Sequence, residues 1–266
     1  MKILSRLILG FALVLGLAAH ALAEDTIKIA FIAPFSGAFA PRGDAFLKEL
    51  QYSLDVVNNM GGALGRKFEL VTFDDKLQPA EAMIALKSVT DQNIPIVLQC
   101  IGSNVAAAMI DGVSKHNARD PDNPVLYLNC AALDFHHNIP SEVGNAQADA
   151  WIKGFRDKYP DFDYTWINYR TTFEMLQAAI NKAGSVDPLK IALALEGMEF
   201  TDAVGQKNIM RRDDHQLIDQ FYAAIFTKGV KYDSERTGFG WKTVKTIPAA
   251  DLAQPTTYKM TRPAGA

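Results

Sequence analysis

Two cysteines in 266 residues, Cys100 and Cys130, are too few to frame a fold of this size with disulfides. In an oxidising compartment two cysteines usually pair, but a sequence does not show whether their Cβ atoms approach, so this disulfide stays an open expectation. The chain also lacks an excess of one charge. Its 27 Lys and Arg against 30 Asp and Glu give a net −3 without a basic stripe, which argues against a nucleic-acid partner. No apolar run reaches the roughly 20 residues of a membrane-spanning helix. Internal repeats and low-complexity tracts are absent as well. No catalytic signature surrounds Cys100, so a pair with a distant His has no local support and no enzyme is expected. Asp134, His136 and His137, and again Asp213, Asp214 and His215, bring possible ligands together without a recognised spacing, so neither metal nor cofactor is expected.

What is present begins with an export pattern. Lys2 and Arg6 precede an apolar stretch from Leu7 to Leu17, and Ala21-Leu22-Ala23 offers a small-residue cleavage site before Glu24. Residues 1–23 therefore read as a signal peptide, with a periplasmic destination expected for the rest. With 48% hydrophobic residues in the whole sequence, the chain can bury an ample core.

Ile27 to Ala33 (IKIAFIA) reads as a strand buried on both faces, the kind found in parallel sheets covered by helices. A polar, glycine-bearing turn follows, through Ser36-Gly37 and on to Ala40-Pro41-Arg42-Gly43-Asp44. From Gly43 to Met60 the spacing places Phe46, Leu47, Leu50, Leu54 and Val57 on one helical face, and Gly61-Gly62 ends it. Further strands are expected at Lys67 to Asp75, Ile94 to Gln99 and Pro124 to Asn129. Helices are expected at Pro79 to Gln92, with Met83, Ile84 and Val89 inward, and at Ser103 to His116. This alternation predicts an α/β fold, a doubly wound parallel sheet with helices on both faces. Three helices then follow without an intervening strand: Ser141 to Tyr159, Trp166 to Ala183, and Asp187 to Leu195 with Asp187 as its cap. Beyond Phe200 the pattern loosens, with strand-like Leu217 to Phe226 and Gly238 to Val244.

The strands end at Ser36-Gly37, Asp74-Asp75, Gly102-Ser103 and Asn129-Cys130-Ala131-Ala132, all on one edge of the sheet. In open α/β sheets ligands bind at that edge, beside the amino ends of the following helices.

The residues IKIAFIAPFSGAFAPRGD (27–44), VVNNMGGALGRKFELVTFDD (56–75) and NCAALD (129–134) resemble the periplasmic solute-binding proteins of ABC importers, branched-chain amino acid (leucine/isoleucine/valine-binding) type. The resemblance continues in TWINYRTTFEMLQAAINKAG (165–184), DDHQ (213–216) and GFGWKTVKTIPAAD (238–251). It implies two α/β lobes joined by a hinge. In such proteins a second lobe intervenes between the NCAALD-like loop and the helix pair, whereas here Asp134 to Pro140 bridges them directly. The expected division is thus a signal peptide at 1–23, lobe one at 24–200 with helices 141–195 packed on it, and an incomplete second lobe with a tail at 201–266.

The resemblance also implies a ligand site. Ser103, opening a helix, would receive a carboxylate through its hydroxyl and the free amides, or else serve as an ordinary N-cap. Ile101 is the alternative contact, through its backbone. Ala131 and Ala132 resemble the segment that offers backbone groups to the ligand's charged ends, with Leu133 where relatives carry a hydroxyl. Ser36 and Gly37 complete the edge. Arg42 stands where an aromatic residue is common, and reads equally as an acid-binding group or a solvated loop arginine. Phe239, Trp241 and Tyr258 read as packing. The expected ligand is an amino acid or small carboxylic acid, delivered to permease and ATPase subunits at the inner membrane. A ligand sensor for a membrane receptor and a non-binding remnant are the alternatives.

Overall fold

The structure, a computed structural model, describes residues 26–129, 146–162, 168–202, 205, 207–219, 221–231, 237–253, 255–256 and 259–262. Strands β1 (Ile27–Ala33), β2 (Phe68–Asp74), β3 (Ile96–Gln99) and β4 (Leu126–Asn129) form one parallel sheet in the order β2-β1-β3-β4. Helices α1 (Ala40–Asn59), α2 (Pro79–Asp91) and α3 (Ser103–Arg119) make the crossovers. Because successive strand residues point to opposite faces, β1 divides its side chains between two cores. Ile27, Ile29, Phe31 and Ala33 enter one with Phe46, Leu50, Leu54 and Val57 of α1, while Ala30 and Ile32 enter the other with α2 and α3. This is the doubly wound parallel sheet expected from the alternation.

Two asparagines set where strands begin. The Asn58 side chain donates to the Phe68 carbonyl (2.9 Å) and accepts from its amide (2.7 Å). Asn117 does the same for Val125, at 2.9 Å each way. Each amide group thus stands in for a neighbouring strand and satisfies backbone that the sheet does not reach.

The first core is closed by α5 (Asn168–Ala183) and α6 (Pro188–Leu195), which contribute Tyr169, Phe173, Leu176, Ile180 and Ile191. Asp187 caps α6, accepting from the Lys190 amide at 2.9 Å. Helix α4 (Ala146–Lys158) adds Trp151 and Phe155, which pack on Tyr52 of α1 with ring centroids 4.4 and 5.5 Å away.

Several expectations need correction. Helix α1 begins at Ala40 rather than Gly43, taking Pro41 and Arg42 into its first turn, where the missing proline N–H removes no helical bond. Ile84 is 62% exposed; Val89 is buried as expected, and Ala82, Ala85 and Leu86 complete the buried face of α2. Beyond α6, β5 (Glu199–Thr201), β6 (Lys207–Met210) and β7 (Leu217–Ile218) form a small antiparallel sheet whose first two strands were not expected. The stretch read as one strand from Leu217 to Phe226 divides between β7 and β8 (Phe221–Lys228). β8 pairs with β9 (Phe239–Ile247) in a two-stranded hairpin. A short α7 (Ala249–Leu252) follows.

Candidate functional site

The carboxyl edge of the parallel sheet carries the loops after β1, β2 and β3. Asp74, the last residue of β2, ties two of them together, since its Oδ1 accepts from the amides of Phe35 and Lys76, each at 2.9 Å. Burial opposes its charge. Hydrogen bonds from the Ser36 hydroxyl and from those amides, with the nearby Lys76 charge, outweigh it and hold the Asp74 carboxyl below its usual range.

Ser36, exposed in the loop after β1, is therefore a brace for that carboxylate. Gly37 adopts φ +74° in the short 3-10 turn Gly37–Phe39. Gly43 is the more constrained glycine, because a Cβ there would lie 2.0 Å from the Pro34 carbonyl oxygen. Its absence lets α1 start hard against the loop. One turn in, the Arg42 guanidinium lies 4.4 Å from the centroid of the Phe46 ring, a cation–π contact at i and i+4.

Asp75 is the unusual member of the edge. It is fully buried, with Oδ1 accepting from the Leu77 amide at 2.8 Å and Oδ2 without a partner among the described residues. Burial, with the adjacent Asp74 charge, pushes its carboxyl up to about 6. Lys76 and Leu77 then turn through left-handed backbone (φ +49° and +57°), aiming Leu77 at the next loop. There Gly102 takes φ +91°, and its missing Cβ leaves room for Leu77 Cδ1, which would otherwise stand 2.7 Å away.

The loop after β3 differs from expectation at Ser103. Gly102 is the N-cap residue of α3 and so offers no side-chain cap; Ser103 is the exposed first residue of the helix. The physical reason is the positive φ, which the cap position needs and serine adopts poorly. The first intrahelical bond runs from the Ala106 amide to the Gly102 carbonyl (2.9 Å), which leaves the amides before it free of helical acceptors. The Ile101 carbonyl is engaged from behind by Gln99 Nε2, and Gln99 Oε1 accepts from the Tyr127 hydroxyl of β4 at 3.0 Å. Burial drives the Tyr127 phenol well above its ordinary range. Asp75 was placed on this edge from sequence without a role, and Gln99 and Tyr127 were not singled out. Their one signal was a polar residue at or near the end of an apolar strand.

Cys100 is 6% exposed and disulfide-bonded. Cys130, the other cysteine in the sequence, lies outside the described residues, as do Ala131, Ala132, Leu133, Asp134, His136, His137 and Tyr258. Strands β3 and β4 pair in register through Gln99 and Asn129, so Cys100 and Cys130 are the next residue of each chain.

Away from the edge, a groove of about 520 Å³ runs between the carboxyl-terminal halves of α2 and α3. Within it Lys87 pairs with Asp91, Lys115 with Asp111, and His116 with the Asn123 carbonyl. Asp214 pairs with Arg211, and His215 lies 3.4 Å from Glu196. Among the described residues no three His, Cys, Asp or Glu side chains are placed to share a metal ion. No helix among them is long and apolar enough to cross a membrane.

The family model for periplasmic binding proteins matches this chain in two segments, residues 26–141 and 132–230. Leu/Ile/Val-binding protein homolog 4 of Brucella abortus is 34% identical over 121 residues, covering 46% of this chain and 29% of that protein. Homolog 3 of Brucella melitensis is 31% identical over 195 residues, covering 69% of this chain and 50% of the relative. The chain thus spans half or less of the length of these curated relatives. Among solved structures, the leucine-, isoleucine-, valine-, threonine- and alanine-binding protein of Brucella ovis in its closed conformation aligns with a TM-score of 0.77 and 15% identity. That match covers 90% of this chain and 100% of the other. A Rhodopseudomonas palustris ABC-transporter solute-binding protein in complex with benzoate aligns with a TM-score of 0.59 and 13% identity, covering 84% and 97%. At these identities the likeness is one of fold.

Proposed function

Because the chain belongs to the periplasmic binding protein family, we propose that it is the solute-binding component of an ABC importer for branched-chain or related amino acids. In this reading residues 1–23 direct export to the periplasm, 24–200 form the ligand-binding lobe, and 201–266 hold what there is of a second lobe and the tail. The solute sits at the carboxyl edge of the parallel sheet, against the loops containing Ser36, Gly37, Ile101, Ser103, Ala131 and Ala132. Arg42 sits at the rim, and a membrane permease and ATPase take the solute onward. The observation that carries the reading is the start of α3. Its first amides are uncapped at the strand edge where an anionic group is stabilised by both hydrogen bonds and the helix dipole.

A non-binding remnant is the second reading. It is favoured by the two family segments meeting at 132–141 and by matches that span half or less of these relatives' length. A complete two-lobed site of micromolar affinity corresponds to about −8 kcal/mol, and losing half the contacts brings this to the millimolar range. Calorimetric titration of the folded chain with leucine, isoleucine, valine and benzoate, up to millimolar concentration, separates the two. Saturable heat with an amino acid supports the importer reading, and saturation by benzoate alone moves the ligand class to small aromatic acids. No heat from a chain shown to be folded leaves the remnant reading in its place.

A further inference from the structure

Gln99 ends a strand whose other residues are Ile96, Val97 and Leu98, and it is fully buried. A primary amide in such a place is unfavourable unless its donors and acceptor are satisfied. It is satisfied in a directional way. Nε2 reaches forward two residues to the Ile101 carbonyl, and Oε1 takes the Tyr127 hydroxyl from the neighbouring strand. The Ile101 carbonyl is thereby drawn back toward the sheet, while Leu77 fills the space beside Gly102. The free backbone groups at the start of α3 are then N–H groups.

We propose that Gln99 and Tyr127 are a positioning pair. They lock the β3–α3 loop so that it presents amide donors to the ligand's carboxylate and withholds the Ile101 carbonyl, which would otherwise be an acceptor for the ammonium. The carboxylate assignment rests on the function proposed above; the locking of the loop does not. Neither side chain touches the ligand in this account. Tyr127 acts on Gln99, and Gln99 acts on the loop.

The test uses the full chain with Gln99→Met, which keeps length and loses both hydrogen bonds, and Tyr127→Phe, which removes one hydroxyl. Residue-resolved hydrogen exchange is read at Ala106, whose amide forms the first bond of α3, and across β1 and α1 as controls. Exchange at Ala106 is expected to accelerate about ten-fold in Gln99→Met and a few-fold in Tyr127→Phe, with the controls unchanged. Leucine affinity is expected to fall by a similar factor, and the affinity for isoamylamine, which keeps the ammonium and lacks the carboxylate, to stay within about two-fold.

Unchanged exchange at Ala106 in both variants overturns the proposal. So does equal weakening of leucine and isoamylamine, which would mark a merely structural role. If exchange accelerates but the wild-type chain binds neither compound, the locking role stands, and the carboxylate assignment falls together with the proposed function. Should Gln99→Met unfold the chain, Tyr127→Phe carries the same comparison.

Discussion

Replacing Asp75 with Asn should cost stability in acid and recover that cost at neutral pH. The carboxyl is fully buried, one oxygen has no partner among the described residues, and burial pushes its proton affinity up to about 6 from the ordinary 3.8. A raised acid means that the folded state holds this proton more tightly than the unfolded state does. Its contribution to stability is therefore complete below about pH 4, falls as pH rises through about 6, and stays reduced above. The whole span corresponds to about 3 kcal/mol, of which about 2 kcal/mol lies between pH 4.5 and 7.5. Asn keeps the acceptor for the Leu77 amide but adds a buried carboxamide NH2 that needs acceptors, a pH-independent penalty of about 1–2 kcal/mol. The diagnostic is thus the difference between two pH values. Urea unfolding of both proteins at pH 4.5 and 7.5 should show the variant gaining about 2 kcal/mol on the wild type across that interval. Asp74 does not blur the window, because its carboxyl is held below the ordinary range and loses its contribution only at lower pH. An Asn effect that is the same at both pH values would refute the account of Asp75 as a carboxyl held against its charge.

Other substitutions test other parts of the argument. Gly43→Ala would drive a methyl into the Pro34 carbonyl, and it should lower stability by about 1–3 kcal/mol in thermal melts; an unchanged melting temperature would mean that α1 does not start so close to the loop. Asp187→Ala removes the α6 cap and should cost about 1 kcal/mol by urea unfolding. Reduction of the Cys100 disulfide, if its partner is Cys130, opens a loop of about 30 residues and should cost about 3–4 kcal/mol, read as a lower urea midpoint with reductant. The β8–β9 hairpin leaves Ile225 and Phe226 half exposed and Val244 58% exposed, so sedimentation should show self-association that Phe226→Lys weakens; a monomer at all concentrations would count against it.

The parallel sheet was legible because its strands and helices differ in period and each face is buried. Ile27 to Ala33 was readable to the residue, since a seven-residue run that is apolar except for Lys28 and bounded by Pro34 has few other solutions. What failed was short or set by tertiary contact. β5 and β6 have three and four residues, including Glu199, Lys207 and Asn208, and carry no periodic signal. Ile84 fits a helical stripe yet faces solvent, because small Ala82 and Ala85 let α2 lie close to the sheet. At the edge, Ser36, Gly37, Arg42, Ile101 and Ser103 are where the strand ends put them. Their roles were less legible, since the need for glycine at the α3 cap and the capture of the Ile101 carbonyl arise from Leu77 and Gln99. Sequence gave no sign that those residues would meet this loop.

Helix α5 has a consequence for how the chain comes into being. Gln177 Nε2 donates to the Gly62 carbonyl across 115 residues, Leu64 donates its amide to Asn181 across 117, and Tyr169 packs edge-on to Phe46. The first core thus stays open along α1 until residues near Leu195 have been made. A nascent chain growing from its amino end must hold the β1 and α1 apolar faces unsatisfied through most of its synthesis, and such long-range closure is slow. That delay prolongs the interval in which the chain is exposed to aggregation. Deletion of α5 and α6 should therefore leave a chain that never closes, whatever the quality of its sheet.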